Sequence, residues 1–514
     1  MADLRRVIDD LPLRFKGPGG AVAVVKDGAV VARQAWGYID LARHVPFTPA
    51  TLFPICSITK QFTCATLLGQ LGDPSRLDRA LAARLPLLED PPPRVLHLCH
   101  NQSGLRDYWA LTVLCGATPE GEFRQADART LMGLTRTLHF PAGEGYSYSN
   151  GNFRLISDLI EDHAGRPFAE LVAAGVLRQA GMETAQFSPA TGDIPGIGYE
   201  GDEAFGFVPA VNRIHWTGDA GILASLDDMI AWERFIDATR DDADGLYRRL
   251  SVRPSFADGA PAHYGFGLAH MESGSVALTG HGGALRGWRS QRLHAAAERL
   301  SVVVLFNHQA SAREAAFEVL RAALGQGCAA GPRIAYDDAW SGRYHDPETD
   351  LLLDVSPGPA GKRLSARFTT DAELLDLTGA GEARGCGMTL RRQGDTVRMT
   401  RPGDNLRAVL GRVTGSASPD VAGTFHNGEL DADLHIAAQG SAVFGAFEGF
   451  LGQGAMQPLY PVGGDIWRLP CRRSMDAPAP GDWTLRFARD GAGRAAAVTV
   501  GCWLARKLRF DRRA

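Results

Sequence analysis

The stretch Ile55-Cys56-Ser57-Ile58-Thr59-Lys60-Gln61-Phe62-Thr63-Cys64 sets a serine three residues ahead of a lysine, at the head of an apolar helix. Residues three apart share a helix face, so the Ser57 hydroxyl and the Lys60 amine can meet. A serine hydroxyl is a weak nucleophile until a base takes its proton. A lysine is that base only where desolvation or nearby positive charge weakens its hold on a proton. Leu52, Phe53 and Ile55 precede the pair, and Phe62, Ala65, Leu67 and Leu68 follow it, so the surroundings are apolar. Taken alone, S-x-x-K also fits an N-cap serine ahead of a solvated lysine. Cys56 adjoins the serine and is the competing nucleophile.

Two further segments favour the catalytic reading. Tyr146-Ser147-Tyr148-Ser149-Asn150-Gly151-Asn152-Phe153 lies between the Gly/Pro-rich loop Pro141 to Gly145 and an amphipathic segment carrying Phe153, Ile156, Leu159 and Ile160 at helical spacing. Its Y-x-N points Tyr148 and Asn150 the same way. A phenol relays protons, and an amide can bind both a substrate carbonyl and a lysine. Leu278-Thr279-Gly280-His281-Gly282-Gly283-Ala284-Leu285-Arg286-Gly287-Trp288 puts a histidine before small residues that let substrate approach the backbone. Tyr264 to Leu268 reads as a strand before it, and Leu300 to Asn307 as a buried strand after it.

In chain order these are S-x-x-K, Y-x-N and H-x-G. The combination resembles the penicillin-recognising serine hydrolases, which include class C β-lactamases, D-alanyl-D-alanine carboxypeptidases and related esterases. Within them the chain looks like the D-aminopeptidases. That likeness is carried by Lys16 to Gly20, Asn101-Gln102-Ser103-Gly104-Leu105-Arg106-Asp107-Tyr108-Trp109, Asp219 to Ile222, Gly280 to Trp288, Phe444 to Gly452 and Ser474 to Pro478. It runs essentially end to end. It implies an α+β fold: a β-lactamase/transpeptidase-like catalytic domain, an antiparallel sheet flanked by helices, followed by two small antiparallel β-barrels. It also implies serine-type removal of amino-terminal D-residues through an acyl-enzyme. Ser57, Lys60, Tyr148, Asn150 and His281 would be catalytic, with His281 hydrogen-bonding Tyr148 or the leaving group. Gly283 and Ala284 would flank the substrate, with the backbone amides of Ser57 and Ala284 holding the oxyanion.

The residues alone give a compatible layout. Gly20 to Lys26 and Ala29 to Trp36 are strand-like runs joined by Asp27-Gly28, a hairpin signal. Helical segments dominate from about residue 57 to 175. Ser225 with Asp228 resembles a capping box opening the helix Met229 to Ala238, and Ala312 to Leu324 is a closing helix. The expected divisions are a catalytic domain over 1–325, a linker over 326–335, one barrel over 336–415 and a second over 416–514. The barrels rest on a weak repeat of 81 residues, Ser341-Gly342-Arg343-Tyr344-His345 against Ala422-Gly423-Thr424-Phe425-His426. Its histidines are expected to be structural. In the second barrel, Arg472-Arg473-Ser474-Met475-Asp476-Ala477-Pro478-Ala479-Pro480-Gly481-Asp482 breaks the strand texture. The resemblance implies that this loop enters the catalytic pocket, with Asp476 near the substrate ammonium.

The 514 residues are 45% hydrophobic and 22% charged with a net charge of −4, ordinary for a large globular enzyme. That balance speaks against a nucleic-acid or membrane-surface partner, and no apolar run of about 18 residues is present. The first ten residues are charged and mixed, unlike a signal peptide, so a cytoplasmic location is expected. The eight cysteines are scattered without a C-x-x-C and read as reduced, mostly buried thiols. His97 and His100 lack a third ligand nearby, so neither a metal nor a cofactor is expected. A small D-amino-acid peptide or amide is the expected partner, and a homodimer the expected assembly. An esterase or carboxypeptidase of the same mechanism is the alternative. A non-catalytic penicillin-recognising scaffold would have lost Ser57, Lys60 or Tyr148, and all three are present.

Overall fold

The Asp27-Gly28 turn places both residues in the left-handed region, at φ 52° and 73°, as a tight two-residue hairpin requires. It joins Gly19–Lys26 to Ala29–Asp40. The protein was described from a computed structural model covering residues 2–187, 194–326, 338–359, 363–379, 381–475 and 478–513. The expected linker therefore lies, apart from Gln326, outside the described residues.

Gly19–Lys26 has no polar break and is buried along nearly its whole length, which makes it a central strand. It pairs with the fully buried Leu300–Phe306. The eight-stranded sheet runs, edge to edge, Val45–Pro46, Ala29–Asp40, Gly19–Lys26, Leu300–Phe306, Trp288–Ala295, Val276–Leu285, Leu268–Ser273 and Tyr264–Gly265. The neighbours are antiparallel. Alternate residues serve different cores. Val22, Val24, Val302 and Val304 pack with Leu4, Ile8 and Leu11 of the helix Ala2–Arg14 and with Ala315, Ala316 and Val319 of Ala312–Leu324. Ala21, Ala23, Val303 and Leu305 face the helical middle of the chain.

Two local expectations meet different outcomes. The Ser225–Asp228 capping box is present: Asp228 N–H donates to Ser225 Oγ at 3.0 Å, and Ser225 N–H to Asp228 Oδ2 at 2.8 Å. It starts the helix at Leu226, earlier than the apolar pattern alone suggested. Tyr264 to Leu268 is not one strand. The chain turns at Phe266 (φ 48°) and Gly267 (φ 76°). A Cβ on Gly267 would lie 2.5 Å from Gln61 N and from Lys60 C. The turn lets the edge of the sheet touch the helix Thr59–Leu71, whose residues from Thr59 to Leu68 are all buried.

Beyond the sheet stand two eight-stranded antiparallel barrels. The first closes between Gly342–Asp346 and Leu406–Arg412. The second closes between Gly423–Asn427 and Ala505–Arg512, with its ring completed by Ala432–Gln439 against Ala442–Gly449. The weak repeat marks this closure. Tyr344 sits opposite Arg412, and Phe425 opposite Arg512. Each guanidinium lies over that aromatic ring, at 4.9 and 4.7 Å. A Cβ on Gly342 or Gly423 would strike the same arginine. The repeat histidines pair with nearby acids, His345 with Asp350 in the following turn and His426 with Asp433 on the neighbouring strand.

The second barrel shares one continuous apolar core with the catalytic domain: Phe425, Phe447 and Trp483 belong to the same cluster as Tyr108 and Trp109. At the seam Leu451 N–H donates to Cys115 O at 3.1 Å. Gly116 has φ 79°, and a Cβ there would meet Gly452 O at 1.9 Å. Gly116→Ala is expected to destabilise the protein by about 1–3 kcal/mol through overpacking, plus strain from a left-handed alanine. An unchanged urea midpoint would show that the seam yields freely.

Candidate active site

Ser57 sits at a sharp corner. Phe53–Pro54 runs as a short strand against Ile222–Ala224. Cys56 then takes φ 55°, a conformation that a non-glycine residue adopts only under constraint. The chain enters the short 3₁₀ turn Cys56–Ile58 and then the helix Thr59–Leu71. Ser57 is therefore not an N-cap. The Cys56 thiol donates to Pro54 O at 3.0 Å in the core, whereas Ser57 is partly exposed. This geometry favours the serine over the cysteine.

Lys60 is buried, at 0% exposure. Its Nζ lies 2.9 Å from Ser57 Oγ, 2.9 Å from Asn150 Oδ1 and 2.8 Å from the backbone oxygen of Asp219. The Tyr148 hydroxyl donates to Ser57 Oγ at 2.9 Å, and its ring centroid is 5.0 Å from Lys60 Nζ. Asn150 begins the helix Asn150–Ala164, so Tyr148 approaches from the preceding loop and Asn150 from the helix end. Phe153, Ile156, Leu159 and Ile160 are all buried on that helix, as their spacing demanded.

His281 is brought close, but its expected bond to Tyr148 is replaced. Its Nε2 pairs with the Tyr264 hydroxyl at 2.9 Å, and its Nδ1 faces Gly282 O. A carbonyl can only accept, so Nδ1 carries the proton and Tyr264 donates to Nε2. The His281 and Tyr148 rings are 6.1 Å apart. Burial above all lowers the His281 pKa to about 3, so the imidazole stays neutral at working pH. The strand carrying it, Val276–Leu285, presses on the corner before Ser57. Ser290 Oγ donates to Ile55 O at 3.0 Å. A Cβ on Gly283 would lie 2.0 Å from Ser290 Oγ and 2.6 Å from Ile55 O.

The carboxy-terminal loop docks on the catalytic domain next to this strand. Arg286, 1% exposed, donates to Ser474 O and pairs with Glu120 at 3.2 Å. Arg473 pairs with Glu200 at 2.7 Å and also with Glu120. Met475 is buried, with its Cε 3.4 Å from where a Cβ on Gly121 would stand. At the far end of the loop, Asp482 pairs with Arg367 of the first barrel at 3.1 Å. Asp476 and Ala477 lie outside the described residues.

The comparisons agree with this architecture. The Beta-lactamase family model matches residues 4–326, and the model described as D-aminopeptidase, domain B matches residues 333–511. The D-aminopeptidase of Brucella canis is 53% identical over 510 residues, covering 99% of this chain and 98% of the relative. The chain belongs to the D-aminopeptidase family. The D-aminopeptidase of Brucella anthropi is 52% identical over 513 residues, covering 100% of this chain and 98% of that one. Among solved structures, the octameric penicillin-binding protein homologue from Pyrococcus abyssi has a TM-score of 0.54 at 19% identity, covering 80% of this chain and 99% of that one. The D-amino acid amidase from Ochrobactrum anthropi SV3, complexed with L-phenylalanine, has a TM-score of 0.51 at 20% identity, covering 63% of this chain and 99% of that one. These two share the fold. Since the domain B match spans both barrels, the barrels are part of the D-aminopeptidase family's architecture. None of the described helices is long and apolar enough to cross a membrane.

Several site residues of this D-aminopeptidase family member carried no motif of their own. Asp219 is fully buried and accepts from Tyr108 OH at 2.5 Å and from Thr217 N–H at 3.0 Å. Burial would raise its pKa, but the Arg154 guanidinium, with the Tyr108 and Thr217 hydrogen bonds, outweighs that and holds it below the usual carboxylate range. Asp107, Tyr264 and Arg286 were equally silent. The signal of Asp107, Asp219 and Arg286 lay only in the stretches that carried the family likeness, and Tyr264 lay outside them. Gly283→Ala is expected to push the strand off the corner and lower kcat by about 10²–10³, the range for losing one oxyanion donor, with the fold retained. Wild-type kcat in steady-state assays would show that the strand's proximity is dispensable.

Proposed function

We propose that this protein is a serine aminopeptidase that releases amino-terminal D-amino acids, small ones such as D-alanine first, from peptides, amides and esters. The single observation that carries the reading is the Ser57–Lys60–Tyr148 cluster beside a docked carboxy-terminal loop, in a chain with this family membership. Asn150 Oδ1 and Asp219 O can only accept, so Lys60 gives each an N–H. In its neutral form the amine has its lone pair left for Ser57, whose Oγ is 2.9 Å away. Ser57 attacks the carbonyl carbon and Lys60 takes its proton. The oxyanion rests between the backbone amides of Ser57 and Ala284, each worth about 3–4 kcal/mol. Tyr148, bonded to Ser57 Oγ, passes a proton to the leaving amine, and the acyl-enzyme forms as the C–N bond breaks. Water, deprotonated by the same groups, then releases the D-amino acid and frees Ser57.

Two features suit a substrate with a free ammonium. His281 is neutral, so it offers no cation to a substrate carboxylate. The loop is pinned on both sides of Asp476, by Arg286 to Ser474 O and by Arg367 to Asp482. In this reading Asp476 receives the substrate ammonium. A cytoplasmic homodimer is the proposed working form; sedimentation as a monomer would remove the dimer.

The test compares D-alanine and L-alanine p-nitroanilides, free and N-acetylated, with wild type, Ser57→Ala and Asp476→Asn. Ser57→Ala should fold and be inactive; full turnover would return the reaction to Cys56. Wild type should prefer the free D-substrate. Asp476→Asn should lose about 10- to 150-fold in kcat/KM on free-amino substrates, the worth of a charged hydrogen bond of about 1.5–3 kcal/mol. Acetylated substrates should lose little. Equal losses on both would make the loop mere support, and a preference for acetylated substrates would favour the esterase or carboxypeptidase alternative.

A further inference from the structure

The base works only if the Asn150 amide faces Lys60 with its oxygen. An amide has two ends of nearly equal size, so something must fix which end points where. The reversed amide would set an N–H against the N–H groups of Lys60. The packing around Asn150 offers one group that chooses. Asp107, 1% exposed, holds Asn150 at two points. Its Oδ1 accepts from the Asn150 backbone N–H at 3.0 Å, and its Oδ2 accepts from Asn150 Nδ2 at 3.0 Å. Burial pushes the Asp107 pKa up to about 7; its ionised form presents only acceptors, so Nδ2 then faces Asp107 and Oδ1 faces Lys60.

Asp107 is in turn held by the second barrel. Its backbone N–H donates to Leu504 O at 2.9 Å. Leu504 lies in the turn between Ala495–Cys502 and Ala505–Arg512. The neighbouring Arg106 is clamped from the same barrel: its Nε donates to Arg506 O at 3.0 Å and its Nη1 pairs with Glu429 at 3.2 Å. These contacts form a continuous chain from barrel to nucleophile: Leu504, Asp107, Asn150, Lys60, Ser57.

We propose that Asp107 is a positioning residue for the general base, and that through it the second barrel sets the orientation of the Asn150 amide. This rests on the serine–lysine reading above. Asp107 touches neither substrate nor reacting atoms; it acts on Lys60 through Asn150. The titratable and charged groups facing Lys60 are Tyr148 on the loop, Asp107, Asp219 with Arg154, His281 on the sheet, and Cys64 on its own helix.

The test is a reciprocal exchange. Asp107→Asn keeps the shape but offers an NH₂ where Asn150 Nδ2 needs an acceptor. It should lower kcat by roughly 10- to 100-fold, the range for groups that orient a reacting residue through another, with little change in KM. Adding Asn150→Asp restores every hydrogen bond with the roles reversed. The pair should recover at least tenfold over Asp107→Asn at alkaline pH. The acid limb of its kcat/KM profile should also move up by about one unit or more, because a carboxylate now touches Lys60 and favours its ammonium form. A merely structural Asp107 would give neither the rescue nor the moved limb. Wild-type kcat in folded Asp107→Asn, or a reciprocal pair that is unfolded, unrescued or unshifted, would overturn the proposal. If Asp107→Asn alone fails to fold, a folded pair is compared directly with wild type, and the moved limb decides. Ser57→Ala run alongside separates the two claims: its activity would sink the serine reading, whereas its inactivity with an unaffected Asp107→Asn would sink only this one.

Discussion

A buried amine 2.9 Å from a serine hydroxyl is the constraint on which the rest of this structure depends. Lysine is costly to bury, so the surroundings must both exclude water and supply acceptors. The helix Thr59–Leu71 supplies the exclusion, being buried all round at its start. The acceptors come from elsewhere in the chain: Asn150 from a helix start and Asp219 from a loop packed on that helix. That loop is itself fixed by Tyr108 and the buried Arg154. The left-handed Cys56, the Phe266-Gly267 turn and the small residue at 283 each let one more piece of backbone close around this pair.

The barrels extend the same logic. Accessory domains that served only as spacers would touch the catalytic domain at its periphery. Here the first barrel gives the oxygen of Asp404 to the Tyr146 N–H at 3.2 Å, two residues before Tyr148. Its Gly403 also contacts His263, next to Tyr264. The second barrel gives Leu504 O to Asp107 and sends its loop to Arg286, just past the strand that carries His281. The loop of Tyr148 and the strand of His281 thus each have a barrel contact within a few residues.

Local signals in the sequence read well wherever the physics was local. Ser57 and Lys60 meet because three residues make one turn. Asp27-Gly28 turns because both residues tolerate positive φ. Ser225 and Asp228 cap because a short oxygen reaches the third amide. The glycine–aromatic repeat reported two closed barrels, although the arginines that seal them, Arg412 and Arg512, lie too far along the chain to be paired by inspection. What spacing could not give was long-range choice of partner. His281 bonds Tyr264, which lies two residues before the Phe266-Gly267 turn that packs against Lys60 and Gln61, rather than Tyr148. Asp107 and Asp219 look like ordinary loop acids until folding buries them beside the base. Arg286 gives no sign in the sequence of the carboxy-terminal loop that covers it.

The central claim is that the buried Lys60 presents a lone pair, not a third proton, to Ser57. Neutron diffraction from deuterium-exchanged crystals of the free enzyme at neutral pH tests it most directly, since it locates the hydrogens on Nζ. The account predicts two deuterons on Lys60, aimed at Asn150 Oδ1 and Asp219 O, with the Ser57 hydroxyl deuteron aimed at Nζ. Three deuterons on Nζ, one of them aimed at Ser57 Oγ, would contradict it.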